Sequence, residues 1–427
     1  MSVQVSKLAN GLTVVTEHMD RLESAALGIW VKAGARNELA DQHGIAHLLE
    51  HMAFKGTERR SAARIAEEIE NVGGEVNAAT SVETTAYYAR VLKDDVPLAV
   101  DILHDILANS VFDEAELERE KHVIAQEIGA ADDTPDDIVF DQFQSSAFSA
   151  QPIGRAILGT RETVSSFRSA NLRDYLKSHY RGPAMVLAAA GKVDHDELMK
   201  QAQETFGAFA AEPGPAPVAA KYNGGEKLTE RDFQETQIVL GFEGRPYHQR
   251  DFYASQLLAT LLGGGMSSRL FQEVREKRGL CYSVSSFHWG FSDTGIFGIH
   301  AATGPEDVPE LIPVILDELA KAAENISEAE ADRARAQIRA GLLMSMESPA
   351  SRSGQIARQI LLFGRPIPAE ELNERLAAIS ATRLRELAGR LFARSTPTLA
   401  AVGPVATVMR HREIAERMGA SLANAAE

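Results

Sequence analysis

Five consecutive residues, His47-Leu48-Leu49-Glu50-His51, carry two imidazoles and a carboxylate at a spacing that can do chemistry. At about 100° per residue, a helix stacks His47 and His51 on one face with Glu50 beside them. Two nitrogen ligands at i and i+4 with a neighbouring carboxylate make the layout of a zinc site whose acid–base group works next to the metal. The surrounding residues Ile45, Ala46, Leu48, Leu49, Met52, Ala53 and Phe54 are apolar. Such a helix is buried over most of its circumference, and its polar arc is the His–Glu–His face. Buried imidazoles need partners: a metal is one solution, ordinary core hydrogen bonds the other.

A third ligand has to come from elsewhere in the chain. Asp113-Glu114-Ala115-Glu116 reads as an N-cap with a capping-box Glu and predicts a helix from about Glu114 to Ala130. On it Glu120 and Glu127 are seven apart and share a face flanked by Val123 and Ile124. Glu114, Glu118, Arg119 and His122 take the remaining arc. A carboxylate on a core-facing stripe is costly unless it meets a cation or donors, and a metal beside His47 and His51 would supply one. The alternative is a helix edge whose carboxylates reach water.

The elements that must hold these residues are those of a large α+β protein. With 427 residues, 44% of them hydrophobic, the chain is long enough for more than one domain with a full core. A net charge of −16 argues against nucleic acid as a partner. It would suit a cavity that attracts basic peptides, or simply serve solubility. The single cysteine, Cys281, excludes an internal disulfide and fits a reducing compartment. No membrane insertion is expected, since the apolar run Ala184–Ala190 is too short to span a bilayer. Val3 to Val15, turning at Asn10-Gly11, reads as a β-hairpin rather than a signal or transit segment. That favours a cytoplasmic protein over a mature organelle form.

The chain also reads as repeating itself once. Residues 1–212 form a first domain, 213–228 a Pro/Gly-rich linker, 229–419 a second domain, and 420–427 a disordered tail. Ala63-Arg64-Ile65 pairs with Ser268-Arg269-Leu270, and Phe112-Asp113-Glu114-Ala115-Glu116 with Ile326-Ser327-Glu328-Ala329-Glu330. The copies differ in chemistry. Opposite the His–Glu–His helix lies Phe252–Leu262, which has no His and no charge, while Glu120 and Glu127 fall opposite Ala334 and Gly341. In the first copy Glu75-Val76-Asn77-Ala78-Ala79-Thr80-Ser81 reads as an exposed edge strand to which an extended peptide could add.

His47-x-x-Glu50-His51 followed by Glu127, the words Ala46–Thr57 and Gly73–Ala78, and Glu118-Arg119-Glu120 together resemble the pitrilysin family, in particular its short-chain branch related to mitochondrial processing peptidase. The resemblance covers nearly the whole chain. It implies two homologous α/β halves, each a mostly antiparallel sheet packed with helices, of which the first binds one zinc. It also implies that His47, His51 and Glu127 ligate the metal, that Glu50 is the general base, and that Glu120 orients a ligand. Asn77 and Ala78 are implied to bind substrate backbone, and the loop Gly263-Gly264-Gly265 resembles one that handles substrate. Arg275 and Tyr282 resemble a pair that reaches the scissile bond and could donate to the oxyanion. The expected activity is zinc-dependent endopeptidase cleavage of peptides or unfolded segments in the cavity of a homodimer whose sites are completed in trans. A scaffold subunit of the same fold, or the catalytic subunit of a heterodimeric processing peptidase, are the alternatives.

Overall fold

The chain opens with the expected hairpin. β1 (Val3–Lys7) and β2 (Thr13–His18) pair antiparallel, and the turn between them holds Gly11 at a φ of +92°, a left-handed conformation that suits glycine. This computed structural model describes residues 3–393 and 395–419, so the expected tail at 420–427 lies outside the described residues.

A six-stranded sheet in the order β1-β2-β6-β3-β5-β4 forms the first layer, with β3 (Ser24–Val31), β4 (Glu75–Thr80), β5 (Thr85–Leu92) and β6 (Met185–Gly191). Every pairing is antiparallel except β2 with β6. β3 and β6 are almost continuously apolar because both of their faces are covered. One face meets the core built with Ile45, Leu48, Leu49 and Met52; on the other, Val15, Trp30, Val186 and Ala188 pack against Ile356, Ala357 and Ile360. The latter three belong to the helix Pro349–Phe363, some 160 residues downstream of β6. A buried ion pair between Glu17 on β2 and Arg352 fastens that helix to the sheet.

A second sheet, β7-β11-β8-β10-β9, is built from β7 (Gly225–Glu230), β8 (Thr236–Glu243), β9 (Ser283–Gly290), β10 (Gly295–Thr303) and β11 (Thr398–Gly403). It repeats the order β2-β6-β3-β5-β4 of the first sheet, down to a single parallel pairing, β7 with β11. Its outer face is covered by the helix Pro135–Ala147, whose Phe143 ring fills the space left by Gly241.

The two compact units are therefore not contiguous. The first comprises 3–129, 155–218 and 343–367; the second comprises 130–154, 219–342 and the described residues from 368 onward. This corrects the expected division at 213–228 in two ways. Each unit takes one helix from the other half of the sequence, and β7 begins at Gly225, inside the expected linker. Leu228 packs on the second core, which makes that stretch a strand rather than a tether. Among the described residues no helix is long and apolar enough to cross a membrane.

Candidate metal centre

The helix Ile45–Ala53 starts at Gly44, whose φ is +94° and whose missing side chain leaves room for Gly159. Glu38, itself buried, reaches back from the preceding loop and accepts from the N–H groups of Gly44 and Ala46, both at 2.9 Å. Two of the free donors at the helix start are satisfied this way. Burial pushes the Glu38 carboxyl up to about 8, against the pull of the two N–H groups and Arg155. Below this cap the apolar residues sink into the core and leave His47, Glu50 and His51 on the remaining arc. His43 lies outside that arc's chemistry: its Nε2 donates to the carbonyl of Ala156 at 2.7 Å.

The facing helix runs Glu114–Asp133, capped by Asp113, which accepts from the N–H groups of Ala115 and Glu116. It begins where the sequence predicts and runs three residues beyond Ala130. Glu120 and Glu127 do share a face, with different fates. Glu120 is buried, and its Oε2 accepts from His51 Nδ1 at 3.0 Å while its Oε1 binds Lys55 Nζ at 2.7 Å. Glu127 Oε2 stands 3.8 Å from His47 Nε2 and 3.7 Å from His51 Nε2, too far for hydrogen bonds.

His47, His51 and Glu127 are the set of three metal-type donors that converge among the described residues, with ligand atoms all within 4.8 Å of one another. Tetrahedral bonds of about 2.1 Å place ligand atoms roughly 3.4 Å apart, close to the observed spacings. The hydrogen-bond pattern agrees: His47 Nδ1, Glu50 Oε2 and Glu127 Oε2 are buried without a hydrogen-bond partner. Buried polar atoms left in this state are uncommon, and Glu127 Oε2, which faces Nε2 of both histidines, fits a site shaped for a cation. Burial, helped by His51, lowers the His47 imidazole to about 4, so it is neutral at pH 7 with a lone pair to give. Burial raises Glu120, but the bonds from Lys55 and His51 outweigh it and hold the carboxyl below its usual range.

Glu50 sits near two phenols that sequence reasoning missed. Tyr87 on β5 and Tyr180 are buried and hydrogen-bonded to each other at 3.0 Å, and burial, with Glu50's charge adding to it, raises both. Lys55 and Glu38 were missed as well. No periodic pattern links Lys55 to Glu120 or Glu38 to Gly44, so only the tertiary structure brings them together.

The remaining predicted residues fall in two places. Asn77 and Ala78 lie on β4, at the edge of the first sheet, with Asn77 exposed. The Ala78 N–H is bonded to Asn77 Oδ1 at 2.8 Å. The others belong to the second unit. Arg275 stacks over the rings of Phe271 and Tyr282, and Tyr282 is 78% exposed. Gly263 ends the helix Phe252–Gly263; a Cβ there would lie 2.4 Å from the Ser286 nitrogen, and one on Gly264 would lie 2.7 Å from the Thr260 Cα. Close packing accounts for both glycines, whereas a Cβ on Gly265 meets nothing nearer than the Gln337 amide at 3.5 Å.

Comparison with known proteins matches residues 13–161 to the family described as "Insulinase (Peptidase family M16)" and residues 166–338 to its "Peptidase M16 inactive domain". The chain is 42% identical to an "Uncharacterized zinc protease" of Rickettsia felis, over 94% of this chain and 97% of that one. It is 36% identical to an Arabidopsis thaliana protein named "Probable mitochondrial-processing peptidase subunit beta, mitochondrial", over 94% of this chain and 78% of the other. A protease from Helicobacter pylori shares the fold at a TM-score of 0.88 and 21% identity, covering 94% of this chain and 99% of that one. A chain of the Candida albicans complex III2 does so at 0.86 and 22% identity, covering 98% and 100%.

Proposed function

Because the chain belongs to the M16 peptidase family, we propose that it is a zinc-dependent endopeptidase, with one zinc held by His47, His51 and Glu127 and with Glu50 as its general base. Bound there, zinc supplies Lewis acidity toward a water and a peptide carbonyl. The observation that carries the reading is the convergence of three donors, with Glu127 Oε2 buried and without a hydrogen-bond partner beside both Nε2 atoms.

The residues of the chain divide the work. Glu50, next to His51 and with a free buried oxygen, takes a proton from the attacking water and delivers it to the leaving amine nitrogen. His47 is kept neutral by burial, and His51 is oriented through Nδ1 by Glu120. β4 offers its outer edge to an extended substrate, so that main-chain hydrogen bonds set the register of the scissile bond. Such binding is sequence-tolerant and requires an unfolded segment. Arg275 and Tyr282 donate to the oxyanion from a second copy of the chain in a homodimer.

Elemental analysis of the purified full chain, with cleavage of a basic peptide of about 20 residues, tests the ligand set. Wild type should carry about one zinc per chain, and Glu127→Gln should lose both zinc and cleavage. Full zinc content and cleavage in Glu127→Gln would remove Glu127 from the site.

A further inference from the structure

Lys55 has no part in the scheme above, yet it makes the second of the two contacts that fix Glu120. The Glu120 side chain is only 7% exposed and each of its oxygens has one partner: His51 Nδ1 on Oε2 at 3.0 Å, and Lys55 Nζ on Oε1 at 2.7 Å. A buried carboxylate held by the imidazole alone could pivot about that single bond. A second, charged donor on the other oxygen removes this freedom and offsets the cost of burying the charge.

The backbone around Lys55 is equally constrained. Its N–H closes on the carbonyl of Met52 at 3.2 Å, in the turn that ends the helix Ile45–Ala53. The next residue, Gly56, turns with a φ of +121° and accepts from the Val111 N–H at 3.2 Å, while Thr57 bridges to Ser110. Ser110 and Val111 lead into the helix Glu114–Asp133, which carries Glu120. The turn bearing the ammonium is thus clamped to the segment that launches the carboxylate. The two groups are held in register by the same short stretch of chain.

We propose that Lys55 is a positioning residue for the metal: it pins Glu120 so that the carboxylate fixes the tautomer and ring orientation in which His51 presents Nε2 beside Glu127. The inference rests on the reading of His47, His51 and Glu127 as ligands, and extends the chain of control to Lys55–Glu120–His51. A lysine that served only to neutralise Glu120, or to sit favourably at a helix C-terminus, would affect stability without affecting metal binding.

The test is a double-mutant cycle on the zinc dissociation constant, read by competition with a chromophoric chelator on the full chain. Wild type, Lys55→Met, Lys55→Arg, Glu120→Gln and the double variant Lys55→Met/Glu120→Gln are compared, with circular dichroism of the metal-free proteins as the control for folding. Residues that orient metal ligands are worth 10–100-fold in affinity, so Lys55→Met should bind zinc about 10-fold more weakly. Lys55→Arg, which keeps the charge, should stay within about threefold of wild type, and the double variant should bind no more weakly than Glu120→Gln alone. Wild-type affinity in Lys55→Met, or its full effect persisting in the Glu120→Gln background, overturns the proposal. Should Lys55→Met fail to fold, Lys55→Gln is read against the same criteria. A wild type that binds no zinc overturns the ligand assignment itself, and the inference with it.

Discussion

Glu120 and Glu127 are two turns apart on one helix, and what surrounds each decides its role. Glu120 meets a lysine and an imidazole N–H, whereas Glu127 meets two imidazole nitrogens at distances that leave its Oε2 unbonded. Replacing them should therefore have unequal effects. Glu120→Gln keeps all three ligands and should weaken zinc binding by roughly 10–100-fold; Glu127→Gln removes a ligand and should weaken it further. Equal affinities from a chelator titration would mean that the two carboxylates share one role. At this scale the sequence was most informative where helical periodicity applies. The i, i+4 histidines and the seven-residue spacing of the glutamates need only 3.6 residues per turn to be brought together. Choosing between Glu120 and Glu127 required the resemblance to a family, and Lys55, Glu38, Tyr87 and Tyr180 were illegible because they join segments with no shared period.

The elements around the site explain how it stays in place. After the metal helix, the loop Thr57–Arg60 is tied to the helix Val96–Ala108 through Asp105, a fully buried carboxylate that accepts from Thr57, Arg59, Arg60 and Asn109. Burial raises Asp105, but the four donors prevail and hold it at about 2. Its folded value lies below its unfolded one, so the stability it confers is present above about pH 4 and is lost as the pH falls towards 2. Asp105→Asn should cost about 2 kcal/mol at pH 7, because it weakens the charge-assisted bonds from Arg59 and Arg60, whose charges keep Asp101 and Glu68 as partners. In urea unfolding that difference should shrink by roughly 1 kcal/mol at pH 3, where wild type has begun to lose the contribution. A gap that is the same at both pH values would contradict this account. At the edge of the sheet, the Ala78 N–H is occupied by the Asn77 side chain, which has to let go if a substrate strand pairs there. Ala78→Pro, which removes the donor from an edge position that tolerates proline, should raise KM about fivefold with little change in kcat. An unchanged KM would place the substrate elsewhere. The hairpin, the start of the glutamate helix and the edge strand were all legible, since turns, caps and short polar strands have local signatures. The exchange of helices between halves was not. The amphipathic patterns of Pro135–Ala147 and Pro349–Phe363 say that each covers a sheet, but not which one.

The whole molecule is a duplicated α+β fold in which, among the described residues, one copy brings three metal donors together and the other does not. The stripped copy retains Arg275 and Tyr282 as a stacked pair with the phenol exposed, which suits a ring offered to something outside its own unit. Of the three glycines expected to handle substrate, close packing explains Gly263 and Gly264, which leaves Arg275, Tyr282 and Gly265 to support the proposed homodimer with sites completed in trans. Mixing two inactive variants, Glu50→Gln and Tyr282→Phe, after dissociation tests it. Sites completed in trans should recover about a quarter of wild-type cleavage, because half of the dimers are mixed and each of those has one intact site. Sites completed within one chain should recover none. The central claim, that this is a metallopeptidase with Glu50 as its base, is tested most directly by zinc content and peptide cleavage in Glu50→Gln beside wild type. The account predicts zinc retained at the wild-type level with cleavage reduced by at least about 100-fold. Undiminished cleavage in Glu50→Gln, or a wild type without zinc, would contradict it.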